Sequence, residues 1–293
     1  MEGALPLPSH PAPHAASSST SSARLLELVA LAEEQPELAA LRPYLTDPAP
    51  TVRREAVAVL TETLPPGTGS ALAEALRDSA PEVRAAAAAS LRELVETLPP
   101  DAALRDGLAA ALTEPDPVVR AAALDVLRAL VSVDAATELA HAAPIDPSRE
   151  VRVTLAKALA TVSADRTASS PPAAVLTALT TLTTDPDALV RAAAYGALGT
   201  VGCPPPLASQ AVTALADPAW QVRAGAATAL STATTAVAVP ALAEALSDPN
   251  ADVRKAAVLS LTHHTPDESA RTALTTATKD PDADVRAYAS RAL

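Results

Sequence analysis

The chain of 293 residues is 49% apolar but only 1% aromatic, with no Phe. That composition suits many short Ala, Leu and Val helices packed side by side, and suits a roomy aromatic-lined ligand pocket poorly. Its net charge of -12 disfavours a non-specific nucleic-acid binder, whose footprint is basic, and a single Cys excludes an internal disulfide framework and a cysteine-rich zinc site.

The first segment, residues 1–22, is rich in Pro, Ser and Ala and reads as a disordered tail. It has neither a basic n-region nor an apolar h-region, so it does not read as a secretory signal, and no apolar run reaches the length of a membrane span. A cytoplasmic protein with no membrane contact is the expectation. The excess of Arg over Lys, with the Ala, Pro and Thr bias, hints at a bacterial source. "ARLLELVALAEEQ" at 23–35 then reads as a capping helix that opens a helical region, 23–293.

From residue 45 one phrase recurs: "LTDPAPTVRREAVAVL" at 45–60, "LTEPDPVVRAAALDVL" at 112–127, "LADPAWQVRAGAATAL" at 215–230, "LSDPNADVRKAAVLSL" at 246–261. Aligned on the residue after Val, the arginines are Arg53, Arg84, Arg120, Arg152, Arg191, Arg223, Arg254 and Arg286. Six residues before each stands an acid (Asp47, Asp78, Glu114, Asp146, Asp185, Asp217, Asp248, Asp280), and seven after each stands a Leu, from Leu60 to Leu293. Self-similarity at such a period marks a repeat array. Within each unit a short amphipathic run such as "GSALAEALRD" precedes the acid, and Val, Ala and Leu at i, i+4 and i+8 follow it, one face of an α-helix. Asp116, Ser148, Asp187, Asn250 and Asp282 occupy N-cap positions. Pro50, Pro81 and Pro117 open the first helical turn, and Glu82, Glu150, Asp252 and Asp284 complement the helix dipole. The fold class predicted is all-α, with two helices per repeat.

These "DPxxxVRxxAxxxL" segments resemble the HEAT-repeat family over roughly residues 36–293, in particular the short bacterial repeats also found in phycobilin lyase subunits. Glu114 for Asp, Ser79 for Pro and Leu155 for Ala are the departures. The resemblance implies a right-handed α-solenoid of about eight helix pairs, with the second helices lining a concave surface. It names no partner, because one fold hosts many functions.

Two sets of side chains follow. The acid sits in the turn and the arginine in the next helix's first turn, so Asp47, Arg53, Asp217, Arg223, Asp248 and Arg254 are expected to belong to a structural ladder between neighbouring turns. Opposite the Val-Ala-Leu side, at i+2, i+6 and i+9, stand Arg54, Arg92, Arg128, Lys157, Lys255 and Arg291, against Asp125. This is a candidate basic strip on the concave face.

The remaining chemistry is sparse. His263 and His264 are adjacent at a helix end, without the i, i+4 spacing of a zinc pair, and read as surface or helix-end residues; no metal site or cofactor is expected. Cys203, in a turn before three prolines, reads as an unreactive thiol. Trp220 falls in the loop before a second helix, and Tyr195 and Tyr288 lie in second helices as packing residues. The segment 162–175 is a loop insertion between the fourth and fifth repeats. The eighth copy lacks a polar cap, which raises self-association through the C-terminal repeat.

The function expected is a non-enzymatic scaffold or adaptor that takes a protein or peptide, acidic by charge complementarity, on its concave face. The resemblance also suggests a small-molecule-binding lyase or chaperone of the phycobilin-lyase type. A HEAT-like DNA glycosylase is a third reading, disfavoured by the few aromatics.

Overall fold

The computed structural model describes residues 13–99, 101–129, 146–164 and 171–293. Sixteen α-helices and no strand occur among these residues. They are α1 (Pro13–Glu33), α2 (Leu38–Leu45), α3 (Pro50–Thr63), α4 (Thr68–Ala75), α5 (Pro81–Leu94), α6 (Ala102–Ala111), α7 (Pro117–Ala129), α8 (Arg149–Ala164), α9 (Ala173–Thr183), α10 (Ala188–Val201), α11 (Pro205–Ala214), α12 (Trp220–Ala229), α13 (Thr235–Ala245), α14 (Ala251–Leu261), α15 (Glu268–Ala277) and α16 (Ala283–Ala292). A 3-10 turn continues α12 at Leu230–Thr232 and another continues α14 at Thr262–His264. From α2 onward the helices pair, the first ending just before the marker acid and the second starting just after it. The region 130–145 before α8 lies outside the described residues.

The first helix begins at Pro13, inside the segment expected as a tail, while residues 1–12 lie outside the described residues. Residues 165–170 of the 162–175 insertion likewise lie outside them; the flanks expected as loop are partly helical, 162–164 closing α8 and 173–175 opening α9.

Contacts divide the chain into two compact units, Met1–Ala123 and Leu124–Leu293, the boundary falling within α7. In the first unit α2 packs on α3 and α4 on α5, while α1, α3 and α5 stack in sequence and α4 meets α6. In the second unit α8, α10, α12, α14 and α16 stack in the same way, and α11, α13 and α15 form the layer beside them. Side-by-side stacking works because each second helix buries its i, i+4 and i+8 positions: Val52, Ala56 and Leu60 in α3, Val190, Ala194 and Leu198 in α10, Val253, Ala257 and Leu261 in α14. A repeat buries little alone, so neighbours stabilise one another along the array.

Capping explains where the second helices start. Asp187, Asn250 and Asp282 accept backbone N–H bonds of the first turn. Ala49, Ala80 and Ala219 occupy the N-cap without a side-chain bond; in both groups the marker acid accepts the N-cap residue's own amide, as Asp47 does from Ala49 at 2.8 Å and Asp248 from Asn250 at 2.8 Å. Ser148 directly precedes α8, its carbonyl accepting the Arg152 amide and its hydroxyl donating to Glu150 at 2.9 Å.

Candidate interaction surfaces

In the regular turns between paired helices, one carboxylate and one guanidinium have two jobs apiece. Asp248 accepts the Asn250 amide at 2.8 Å on Oδ1 and also receives Arg223 from the preceding repeat, Nε to Oδ2 at 2.7 Å and Nη2 to Oδ1 at 3.0 Å. The third nitrogen of Arg223, Nη1, donates to the backbone carbonyls of its own turn, Asp217 at 3.0 Å and Pro218 at 3.2 Å. The planar fork of Arg fits this two-sided role, which the point charge of Lys could not fill. The same arrangement joins Arg53 to Asp78, Arg152 to Asp185, Arg191 to Asp217, and Arg254 to Asp280.

Within one repeat the arginine meets the backbone of the acid, and its carboxylate partner lies in the next repeat. Arg53, Arg223 and Arg254 touch the backbone of Asp47, Asp217 and Asp248 in their own turns; their ion pairs reach forward one repeat. Asp217 is paired with Arg191, and Asp47 with Arg24 of α1, at 3.2 Å.

The third repeat solves the same problem with other residues. Glu114, a methylene longer than Asp, pairs with Arg77 at 2.6 Å. Asp116 receives Arg84 in its place, at 3.0 and 2.6 Å, while accepting the Val118 amide. The donors leave their mark on acidity. Arg84 and then the Val118 amide hold Asp116 below the usual carboxylate range, and Arg254 does the same for Asp280. Burial pushes Asp78 and Asp248 upward, but Arg53 or Arg223, with a backbone amide, outweighs it and both carboxyls end below the ordinary value.

The candidate basic residues fall into different environments. In the first unit, Arg54 and Arg92 are exposed. In the second, Lys157 and Arg291 are exposed, Arg128 is half-buried, and Lys255 bridges Asp252 at 3.3 Å and Asp284 at 3.4 Å. Those two acids hold the Lys255 ammonium above its ordinary value. The i+9 column does not point squarely outward. Thr61 there donates to Ser90 of the next repeat at 2.8 Å, and Gly199 lies against Thr228. The i+2 and i+6 columns of α10 and α12 are nearly bare, with Ala192, Gly196, Ala224 and Thr228; a Cβ added at Gly196 would meet nothing within 4 Å.

The other singled-out residues are placed as follows. His264 is buried, not a surface residue: its Nε2 donates to the Leu230 carbonyl at 3.1 Å and its Nδ1 accepts the Thr235 hydroxyl at 3.2 Å. It ties the two 3-10 turns together. Sequence reasoning missed this because the contact spans one repeat. Cys203 is buried and its thiol is pushed up to about 11 by burial. Trp220 is the first residue of α12, within the helix and not in the preceding loop, and is 39% exposed. Tyr195 is buried, with its hydroxyl 3.5 Å from the Gln210 carbonyl, and burial raises its phenol; Tyr288 is half-buried. No group of three His, Cys, Asp or Glu converges among the described residues, and no helix there is long and apolar enough to cross a membrane.

The repeats match a family model described as HEAT repeats over residues 38–128, 70–160, 105–199, 138–231 and 208–293. The chain belongs to the HEAT-repeat family. No curated protein matches its sequence. Among solved structures, an engineered protein is similar at 20% identity with a TM-score of 0.57, covering 94% of this chain and 84% of its own. YibA of Escherichia coli is similar at 19% identity and a TM-score of 0.57, with 90% and 96% covered. A structure of Kap95p with RanGDP matches at 16% identity and a TM-score of 0.57, covering 90% of this HEAT-repeat chain but 40% of the other. At these identities the likeness shows the fold alone.

Proposed function

We propose that this HEAT-repeat chain is a non-enzymatic adaptor that holds an acidic protein segment along the exposed face of its second helices. The observation that carries the reading is the face of α8, α10, α12, α14 and α16 in the second unit. Its i+2 and i+6 positions are bare at Ala192, Gly196 and Ala224, and they are basic and exposed at Lys157 and Arg291. Small residues let a partner's side chains approach the helices closely, and flanking cations steer an acidic chain into place. With neighbouring helices about 10 Å apart, Lys157 and Arg291 are separated by roughly 40 Å, the reach of about a dozen extended residues. Kap95p, of the same fold, is described as binding RanGDP, which supports protein binding as the use of such a surface. Arg54 and Arg92 offer the first unit a smaller version of the same chemistry.

Fluorescence anisotropy with labelled polyglutamate tests this. Binding is expected at low salt, weakening as salt screens the charges, and falling several-fold in Lys157→Glu/Arg291→Glu. Polyglutamine of the same length is expected to show no binding. Unchanged affinity in a folded double variant would sink the proposal, as would failure of the wild-type chain to bind.

A further inference from the structure

In the second unit the ladder pairs Arg152–Asp185, Arg191–Asp217, Arg223–Asp248 and Arg254–Asp280 recur from turn to turn. They hold equivalent positions of α8, α10, α12, α14 and α16 side by side. Across those helices the i+6 position reads Lys157, Gly196, Thr228, Leu259 and Arg291. The cations at the two sides are exposed. Gly196 leaves a gap, since a Cβ there would meet nothing within 4 Å. Leu259 presents a large apolar side chain that is 42% exposed. The row therefore carries charge, a gap, a hydroxyl, an apolar contact and charge, in that order.

The positions beside this row are built differently. Toward the turns, the i-1 position reads Glu150, Leu189, Gln221, Asp252 and Asp284. Its acids are exposed and repel an acidic chain from that side. Two of them already hold Lys255. On the row and toward the far helix ends stand Thr161, Thr228 and Thr262. Their hydroxyls donate to carbonyls of their own helices, at Lys157 (3.1 Å), Ala224 (3.0 Å) and Leu259 (2.6 Å). Each hydroxyl oxygen keeps a lone pair with which to accept an incoming N–H.

Resting on the adaptor reading above, we propose that the segment held here is a polyproline-II chain that sets every third side chain on the i+6 row. A carboxylate meets Lys157, an apolar side chain fills the Gly196 gap, a second lies against Leu259, and another carboxylate meets Arg291. Charge complementarity fixes the two ends, and spacing fixes the conformation. Packed helices lie about 8–10 Å apart, and polyproline II returns a side chain to the same side every ~9 Å. A β-strand does so every ~7 Å and falls out of step with the helices. Two turns of an α-helix, about 11 Å, come nearer, but its N–H groups are bonded internally and make no use of the threonine acceptors. Polyproline II has no internal hydrogen bonds, so its N–H groups need such acceptors.

Fluorescence anisotropy of the full chain with labelled peptides tests the spacing. The probes are EPSLPSAPSLPSE and its isomer EPSPLSAPSPLSE, in which each leucine has moved one place while composition and charge stay the same. The first is expected to bind roughly ten-fold tighter at equal salt, because its leucines alone reach apolar surface. Gly196→Leu, which fills the gap from an open position, and Leu259→Ala are each expected to narrow that ratio several-fold, with circular dichroism confirming unchanged helix content. Replacing the prolines by alanine, as EASLASAASLASE, removes the preset conformation and is expected to weaken binding several-fold. Equal affinity for the two isomers, a ratio that survives both substitutions, or tighter binding by the alanine peptide overturns the proposal, and leaves the adaptor reading in place as long as polyglutamate binds. Failure of polyglutamate to bind is the separate result that sinks the adaptor reading, and this inference with it.

Discussion

At Asp248 one side chain holds its own turn and the neighbouring repeat together, so removing it opens two contacts at once. Asp248→Ala leaves the Asn250 amide and the Arg223 fork without their acceptor, a cost of about 1–3 kcal/mol for a half-buried charged pair. Asp248→Asn keeps an acceptor for the amide and is expected to cost less; thermal melts of the two variants check the order. Acid acts on the same groups. Asp78, Asp116, Asp248 and Asp280 have folded values below the ordinary range. Their contribution is therefore fully present above the unfolded carboxylate value, about 3.9, and is lost as pH falls through the depressed folded values. Stability is expected to drop below about pH 4, and an Asp78→Asn/Asp248→Asn chain is expected to show a shallower drop in a pH series of melts. The columns of Asp and Arg were legible in the sequence from spacing alone. Which arginine meets which aspartate was not, because the ion pair lies between repeats and the forward reach of the Nε–Nη2 edge depends on how one helix pair stacks on the next. The Glu114 exchange was visible as a departure, but its resolution through Arg77 and Asp116 needed the fold.

Between helices, α10 and α12 approach each other closely at two glycines. A Cβ on Gly225 would sit 2.5 Å from the Ala192 carbonyl oxygen, and one on Gly199 would sit 2.7 Å from that of Thr228. Both neighbours are backbone, which cannot swing aside. Gly225→Ala is thus expected to destabilise by about 1–3 kcal/mol despite the better helix propensity of Ala. Gly196→Ala, on the open face of the same α10, is expected to stabilise by about 0.5–1 kcal/mol. Denaturant midpoints of the two variants, moving in opposite directions, check the pair. The buried stripes of the second helices followed from the 3.6-residue period. The width of the buried arc did not: a helix flanked by its own partner and by second helices on either side is covered further round than one lying on a single surface. That is why the i+9 residues Thr61 and Gly199 face a neighbour while Gly196, at i+6, has open space beside it.

Across the chain, stability is distributed by nearest-neighbour contacts, and the two compact units each contain their own buried leucines. Leu72→Ala in the first and Leu242→Ala in the second remove fully buried side chains, each at about 2–5 kcal/mol. Hydrogen exchange is expected to quicken in the repeat that carries the substitution and its neighbours, and to stay near wild type in helices several repeats away; uniform quickening throughout the chain would show a single cooperative block instead. The ladder has a further consequence for how such a chain can change length. Each regular turn presents an Asp carboxylate to the repeat before it and an Arg fork to the repeat after it, so the two sides of every regular junction are interchangeable. A recombination that cuts at one Asp-Pro turn and rejoins at another, deleting or duplicating whole repeats, leaves the rungs intact without any compensating substitution. The junction around Glu114 is different. Arg77, Arg84, Glu114 and Asp116 are matched to one another, so that stretch is inherited as a block or loses its rung.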